Sequence, residues 1–215
     1  MTTALVLVIT AAAAYFLGCF NGSILVSKLF FHEDIREKGS GNAGLTNFFR
    51  IYGGKCVGIM LVIDISKTVL AILLGKAVFA YFLQRPELGQ YWTSLFVILG
   101  HCFPCMFSFR GGKGVLCSGT MLIMLDWRIA VVGFGLFVLS VLLTRYVSLG
   151  SVLAAVSFPF TTFWVFHKSP DFPWIMAIGV FLAAFVIWAH RANIRRLLTG
   201  KENKFSFHRK KESQS

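Results

Sequence analysis

A stretch rich in glycine and short polar side chains runs from residue 39 to residue 50. It reads Gly-Ser-Gly-Asn-Ala-Gly-Leu-Thr-Asn-Phe-Phe-Arg. Glycines let backbone N–H groups converge on an anion, and hydroxyl and amide side chains add further donors. The stretch therefore predicts a phosphate cradle, although alone it is more typical of a flexible turn. It is neither a Walker A loop, which needs Gly-Lys-Ser/Thr, nor a dinucleotide fingerprint, which follows a strand.

A second cluster contains Gly100-His101-Cys102-Phe103-Pro104 and then Gly111-Gly112-Lys113-Gly114. The second tetrad leads directly into an apolar run, so we expect its N–H groups and the positive end of a helix dipole to face an anion. Lys113 would supply a mobile countercharge. The alternative is a basic loop that only marks the cytoplasmic side of a membrane.

Two further polar groups lie near the ends of later apolar runs. Ser148 begins a Ser-Leu-Gly-Ser sequence, where it is placed to cap the N-terminus of a helix, and capping alone would explain it. His190, Asn193 and Arg196 recur every three residues and can share one helical face. A solvated basic exit from the membrane is the alternative for this last group.

The composition indicates the elements that must hold these residues. The chain has 215 residues, of which 56% are hydrophobic and only 14% charged, so lipid is its natural solvent. We predict an all-α, polytopic integral membrane protein of about seven transmembrane helices. The apolar runs span residues 3–26, 55–83, 91–108, 113–125, 129–144, 149–167 and 173–190.

The second apolar run is long enough to protrude or bend, and the fourth is short enough to be tilted or partial. No basic residue precedes Lys28, so we interpret the first run as a retained span rather than a signal peptide.

The distribution of Lys and Arg predicts the orientation. With the N-terminus outside and the C-terminus cytoplasmic, sixteen of the 21 basic residues lie inside, three lie outside and two lie within the second run. All four polar groups then gather at the cytoplasmic boundary. We expect a single transmembrane catalytic domain over 1–190 and a basic cytoplasmic tail over 191–215. Anionic lipid head groups explain the net charge of +12 without nucleic acid.

Two features within the apolar runs allow more than one interpretation. Asp64 and Lys67 lie three residues apart, so they can pair on one helical face as either a functional or a structural pair. Cys102 and Cys105 form a C-x-x-C motif, but no second pair or neighbouring histidine ligand accompanies them. We interpret the five cysteines as small packing residues rather than a zinc or redox site.

The four motifs, in this order, resemble the bacterial acyl-phosphate:glycerol-3-phosphate acyltransferases, small multispanning enzymes of phospholipid synthesis. The resemblance extends over nearly the whole chain, through the 39–50 stretch, GHCFP with GGKGV, SLGS, and HRANIRRLLTGKE. The chain departs from the family pattern at Leu45, Cys105 and Leu116-Cys117, which leaves a hydroxyl role at position 117 unsupported.

The resemblance implies transfer of a fatty acyl group from acyl phosphate to the 1-hydroxyl of glycerol 3-phosphate, giving lysophosphatidate and phosphate. Arg50 and Lys113 would hold phosphate charge, and Ser40 would help to cradle the acyl phosphate. The residues implied to be catalytic are Ser40, Arg50, Lys113, Ser148, His190 and Asn193, and those implied to bind substrate are Gly41, Asn42, Gly44, Thr46, Asn47, His101, Gly111 and Gly112.

An acyl phosphate is an activated anhydride, so positioning and charge stabilisation can supply much of the catalysis without a covalent acyl-enzyme. In the family the departing phosphate is thought to help deprotonate the hydroxyl, and His190 is the alternative base within the protein. No histidine has an aspartate five positions later, and the four aspartates are scattered. These patterns exclude the His–Asp acyltransferases and the CDP-alcohol phosphotransferases, and we expect no metal and no cofactor.

The implied location is the bacterial cytoplasmic (inner) membrane, with the active site at the cytoplasmic face. The implied partners are the two substrates, membrane lipid and the upstream enzyme that forms the acyl phosphate. Two other classes remain open from the residues alone. A transporter of a phosphorylated solute would need polar groups at the membrane midplane and repeated halves, and a scaffold would tolerate loss of Lys113.

Overall fold

Residues 2–204, which the computed structural model describes, form ten α-helices joined by short turns and by two longer glycine-rich loops. The first loop comprises residues 32–44 and the second loop residues 103–114. Residues 205–215 of the predicted basic tail lie outside this description. The helices are α1 (Thr3–Cys19), α2 (Gly22–Phe31), α3 (Leu45–Tyr52), α4 (Val57–Leu83), α5 (Pro86–Cys102), α6 (Val115–Leu125), α7 (Trp127–Thr144), α8 (Val147–Phe166), α9 (Phe172–Ala189) and α10 (Arg191–Leu198).

Several of these helices suit a membrane. Five helical segments are long and apolar enough to cross one by length and composition: Thr3–Phe31, α4, α7, α8 and α9. Two other helices are shorter, since α5 has 17 residues and the apolar α6 has 11. Large apolar side chains are exposed along the long helices, which only lipid can cover favourably. The chain is therefore a helical integral membrane protein.

Helices α1, α4 and α5 pack closely, and their contacts show how they are oriented relative to one another. Gly75 of α4 lies against Gly89 of α5, and Lys67 lies 2.9 Å from His101 (Nζ to Nδ1), so α4 and α5 are antiparallel. Helix α1 runs parallel to α5, because the Trp92 indole donates to the Leu7 carbonyl at 3.1 Å near one end. At the other end, a β-carbon on Gly18 would overlap the backbone of α5.

Polar contacts between turns and helix ends hold together the end of the bundle opposite the glycine-rich loops. Arg85, between α4 and α5, lies 3.3 Å from Asp171, which precedes α9. Gln90 donates to the carbonyl of Met124 at 2.9 Å. Large aromatic side chains are exposed at this end, as expected where helices meet a membrane interface: Tyr81, Trp127, Trp164 and Trp174.

The predicted single helix over 3–26 is wrong, because the first apolar run breaks at Phe20-Asn21. The Asn21 side chain caps α2 by accepting from the N–H of Ile24 at 3.1 Å. The Lys67 ammonium donates to the carbonyls of Gly18 (3.1 Å) and Phe20 (2.8 Å) at the end of α1. The Asp64 carboxylate accepts from the N–H of Gly22, the first residue of α2, at 3.1 Å. The charged pair therefore satisfies backbone groups that the break leaves without helical partners.

The expected pairing of Asp64 and Lys67 is confirmed, with Oδ1 and Nζ 2.7 Å apart and both side chains buried. The second apolar run is long, as predicted, and forms the 27-residue α4. The fourth run is short, as predicted. The third apolar run, residues 91–108, corresponds to α5, which begins and ends earlier than the run. Pro86 suits the first turn of a helix, whereas Pro104 cannot continue one.

The 39–50 stretch is only partly a loop, contrary to our expectation. Its second half forms α3, in which Leu45, Phe48, Phe49 and Tyr52 recur with the spacing of an amphipathic helix. The Tyr52 ring stacks on Phe31 with centroids 3.9 Å apart, which anchors α3 to the end of α2.

Candidate active site

A cavity of about 500 Å³ joins the polar motifs to the apolar interior of the bundle. Its mouth is lined by the two glycine-rich loops, α3, the start of α8 and α10. Its depth lies among α6, α7, α8 and α9, where the lining is mostly apolar. Eleven of the fourteen predicted site residues line it: Ser40, Asn42, Gly44, Thr46, Asn47, Arg50, His101, Lys113, Ser148, His190 and Asn193.

The first loop is folded around the Asn47 side chain. Its Oδ1 accepts from the N–H of Ser40 at 2.9 Å, and its Nδ2 donates to the carbonyl of Lys38 at 3.0 Å. The polar atoms of this amide are therefore engaged inside the loop, so the structure gives Asn47 a positioning contact. Thr46 and Arg50 lie four residues apart on α3 and reach the same cavity.

The glycines of the second loop permit close packing. Gly111 and Gly112 donate their N–H groups to the carbonyls of Cys102 (3.0 Å) and His101 (3.3 Å). A β-carbon on Gly112 would overlap the carbonyl of Ala43, so the two loops touch here. These two N–H groups are used within the chain and do not face an anion, contrary to expectation.

The three predicted residues absent from the main cavity lie together elsewhere. Gly41, Gly111 and Gly112 line a second cavity of about 400 Å³ on the other side of the second loop. Arg110 and Arg191 also line it, as does Lys113, which reaches both cavities.

A chain of hydrogen bonds connects the second loop, α8 and α10. Lys113 donates through Nζ to Oδ1 of Asn193. The Nδ2 of Asn193 donates to Oε1 of Glu202 at 2.7 Å, and the Ser148 hydroxyl donates to the same oxygen at 2.9 Å. Arg196 donates to Oε2 of Glu202 at 2.7 Å. Because each of these side chains has a defined partner, the donors around Lys113 are held in fixed orientations.

This network corrects the capping prediction for Ser148 and reveals a residue that sequence reasoning missed. Ser148 lies in the first turn of α8, after Tyr146 at the cap position, and makes no cap bond. Glu202 received no predicted role, although it is the one acidic residue among the five basic ones between residues 191 and 204. That contrast is the signal that could have identified it. The predicted shared face of His190, Asn193 and Arg196 is confirmed, since all three line the cavity.

The charges at the mouth influence one another. Burial lowers the pKa of Lys113 to about 8, and the nearby Arg196 and Arg50 add to the shift while Glu202 opposes it. Burial also opposes ionisation of Glu202, but hydrogen bonds from Asn193, Arg196 and Ser148 outweigh it and keep the pKa of Glu202 below its usual range. The mouth therefore holds closely spaced positive charge, which an anionic ligand would stabilise.

His190 joins α9 to α10 and is fixed in one tautomer. Its Nδ1 lies 2.8 Å from the carbonyl of Val186, and because a carbonyl only accepts, Nδ1 carries the proton. In the neutral ring, Nε2 is then free to accept a hydrogen bond or a proton. Burial, followed by the charge of Lys113, lowers the pKa of His190, so the ring is neutral near pH 7.

Below the mouth, His101 connects the second loop to the break in the first helix. Its Nδ1 accepts from the ammonium of Lys67 at 2.9 Å. Within residues 2–204, Asp64, His101 and Cys117 place potential metal-ligand atoms within 4.8 Å of one another. The Lys67 ammonium contacts both Asp64 and His101, so it already occupies the position where a cation would neutralise the carboxylate.

Comparison with known proteins gives consistent matches over nearly the full length. Residues 8–200 match the model of the family described as glycerol-3-phosphate acyltransferase. This chain is 36% identical to a protein of that name from Chlorobaculum tepidum, over 92% of this chain and 95% of the relative. It is 38% identical to one from Finegoldia magna, over 93% of this chain and 96% of the relative.

The fold is also similar to the crystal structure of PlsY, an integral membrane glycerol 3-phosphate acyltransferase, in its glycerol 3-phosphate form. The TM-score is 0.81 and the identity 30%, covering 93% of this chain and 96% of PlsY. Its lysophosphatidic acid form has a TM-score of 0.76 and 28% identity, covering 94% and 96%.

Proposed function

This chain belongs to the glycerol-3-phosphate acyltransferase family, and on that premise we propose how it works. It is an acyltransferase of phospholipid synthesis that acylates glycerol 3-phosphate. We propose that the donor is an acyl phosphate, supplied by an upstream enzyme, and that the acceptor is the 1-hydroxyl. The products are then lysophosphatidate and inorganic phosphate.

The observation that best supports this function is the two-part character of the main cavity. Its mouth carries Arg50, Lys113 and Arg196, and its depth is lined by apolar side chains from four membrane helices. A phosphorylated acyl donor has a charged head and an apolar tail, so it fits such a cavity lengthwise. The depth opens among α6 to α9, which allows an acyl chain to extend into the bundle.

The two ends of the mouth suit the two phosphate groups. We propose that Ser40, Thr46 and Arg50 hold the acyl-phosphate head, with Asn42 and Gly44 beside them. Glycerol 3-phosphate then lies across the other end, near Lys113, Ser148 and Asn193. Glu202 holds these last donors through Ser148 and Asn193, and Asn193 in turn accepts from Lys113.

In the proposed reaction, the 1-hydroxyl oxygen attacks the acyl carbonyl carbon. The bond from that carbon to the phosphate oxygen breaks, and inorganic phosphate leaves with the bonding electrons. Nε2 of His190 accepts the hydroxyl proton, because its Nδ1 is committed to Val186. The clustered cations stabilise the charge on the leaving phosphate. We propose that neither a covalent acyl-enzyme nor a metal takes part.

We further propose seven spans with the N-terminus outside and the C-terminus in the bacterial cytoplasm. The described helices support this arrangement if α5 and the short α6 also cross. The basic residues concentrate at the end that carries the cavity mouth, as the positive-inside rule predicts for a cytoplasmic face. The mouth then opens at the cytoplasmic face, where both phosphorylated substrates can reach it.

The first experiment compares acyl donors with purified protein in detergent. Glycerol 3-phosphate is supplied with palmitoyl phosphate, palmitoyl-CoA or palmitoyl-acyl carrier protein, and lysophosphatidate and phosphate are measured. We expect turnover with palmitoyl phosphate only. Lys113→Ala should reduce it at least about 100-fold, by analogy with the loss of a charged donor in a preorganised site.

The matched control is Lys55→Ala, since Lys55 is exposed and lies outside both cavities. It should retain full activity. Equal turnover with palmitoyl-CoA would contradict the proposed donor, whereas a folded protein inactive with every donor would contradict the enzyme function and direct attention to transport of phosphorylated solutes.

A further inference from the structure

Two cysteines that the acyl transfer does not use lie side by side at the junction of α1 and the second loop. The Sγ atoms of Cys19, the last residue of α1, and Cys105 are 3.8 Å apart. A disulfide bond is about 2.05 Å long, so the two sulfurs need to approach by less than 2 Å. Both cysteines are free thiols in the structure.

The C-x-x-C motif of the sequence is not the relevant pair. The Sγ of Cys102 lies beside Gly114, since a β-carbon on that glycine would be 3.4 Å from it. Cys105 instead faces Cys19, 86 residues away along the chain. The three-dimensional pairing therefore joins two segments that spacing alone would not connect.

The junction is already held in place by a second contact. The Tyr15 hydroxyl donates to the carbonyl of Phe103 at 2.7 Å, one turn of α1 before Cys19 and two residues before Cys105. This bond holds the backbone at the start of the second loop against α1, next to the two sulfurs. The junction lies at the same end of the bundle as Lys113.

The two thiols differ in access, which sets the order of the chemistry. Cys19 is fully buried and Cys105 is half-buried, so an oxidant from solution meets Cys105 first. An oxidised Cys105 then has one thiol, Cys19, within reach to resolve it. Bacterial cytoplasm keeps such thiols reduced under ordinary conditions, so the bond would form only during oxidation.

We propose that Cys19 and Cys105 form a reversible, peroxide-driven disulfide that fastens the second loop to α1. The Cys105 thiolate attacks a peroxide oxygen, breaking the O–O bond and giving a sulfenic acid and hydroxide. The Cys19 thiolate attacks the sulfenic sulfur and releases a second hydroxide. The two thiol protons convert both hydroxides to water, so two thiols and one hydrogen peroxide yield one disulfide and two waters.

The test uses the purified full chain, reduced and then treated with hydrogen peroxide before alkylation and trypsin digestion. Cys19 falls in the tryptic peptide 1–28, and Cys105 falls in 77–110, because the Arg85-Pro86 bond resists trypsin. We expect these two peptides to be joined in the monomer, and dithiothreitol to separate them. Recovery of peptide 1–28 alkylated at Cys19 after full oxidation of Cys105 would overturn the proposal.

Variants distinguish the sulfurs. Cys105→Ala should abolish the link, whereas Cys102→Ala, in the same peptide and the same C-x-x-C motif, should leave it intact. A link that needs Cys102, or that joins two chains, would also overturn the proposal. As a second measurement that needs no digestion, peroxide should raise the unfolding temperature of the unsubstituted chain relative to peroxide-treated Cys105→Ala, because a long loop is closed.

Discussion

The ammonium of Lys113 reaches both cavities and contacts Asn193, so its protonation state governs the charge at the cavity mouth. Burial and the neighbouring Arg196 and Arg50 lower its pKa to about 8. A phosphate dianion bound beside it would favour the protonated form and raise that value again. Proton binding and phosphate binding at Lys113 are therefore coupled.

This coupling predicts a basic limb in the pH dependence of activity. Only protonated Lys113 attracts phosphate, so kcat/KM for glycerol 3-phosphate should fall about tenfold per pH unit once the pH exceeds about 8. Steady-state rates between pH 6.5 and 9.5 provide the measurement. Lys113→Arg keeps its charge throughout this range, so the limb should disappear in that variant. An unchanged limb there would assign the titration to another group.

We expect Glu202 to affect activity by orienting the donors Ser148, Asn193 and Arg196. Glu202→Gln keeps the shape but places an amide where one oxygen accepted hydrogen bonds, and it removes the charge opposite Arg196. Losing charge-assisted bonds of this kind costs roughly 1–3 kcal/mol, so kcat/KM for glycerol 3-phosphate should fall about 10- to 100-fold. Lys201→Gln, an exposed neighbour, is the control and should behave as the unsubstituted enzyme. Comparable losses in both variants would contradict the assignment.

At the scale of the helices, the contact between α4 and α5 depends on glycine. Gly75 lies against the Gly89 carbonyl and Thr93, so a methyl group there would push the helices apart. Gly75→Ala should therefore destabilise the fold by roughly 1–3 kcal/mol, which lowers the unfolding temperature by several degrees. Thermal unfolding in detergent measures it.

The same helix provides a matched control. A β-carbon on Gly58 would meet nothing within 4 Å, so Gly58→Ala should leave the unfolding temperature unchanged or slightly higher. Equal destabilisation by both variants would mean that backbone propensity, rather than the contact with α5, determines the effect.

The sequence was sufficient for the elements whose signals are local. Hydropathy located the long helices within a few residues, and spacing predicted the shared face of His190, Asn193 and Arg196. The break at Phe20-Asn21 was missed because the apolar run continues through it, and the groups that stabilise it, Asp64 and Lys67, come from another helix. The α3 helix was missed although it has a local signal. Its apolar residues have helical spacing, but they directly follow a glycine-rich stretch that favoured a loop.

The site shows the same division between local and distant signals. Glycine-rich motifs correctly indicated which segments meet, yet their glycines pack loops together instead of presenting N–H groups to a ligand. Glu202 is visible in the sequence as an acidic residue among basic ones, but its contact with Ser148, 54 residues away, is not. The proximity of Cys19 to Cys105 likewise depends on a contact between residues 86 apart in the chain, and no pattern in the sequence encodes it.

For the whole molecule, the cavity depth should limit which acyl donors are used. Gly119 of α6 lines the cavity, and its β-carbon would lie 3.3 Å from Phe134. Gly119→Leu would fill part of the depth, so turnover of palmitoyl phosphate should fall about tenfold or more, while octanoyl phosphate is less affected. Gly135→Leu is the control, because that position is open and exposed. Parallel losses for both chain lengths would show that the cavity depth does not hold the acyl chain.

The broken first helix also has a consequence for how the protein is made. The carbonyls of α1 that face the break are satisfied by Lys67, which is synthesised 49 residues after Gly18. At translation rates of 5–20 residues per second, that delay is roughly 2–10 s. Without Lys67, a break at this point leaves the carbonyls of Gly18 and Phe20 without that partner, which apolar surroundings disfavour. The break in the first helix is therefore expected to become stable only once α4 packs beside α1.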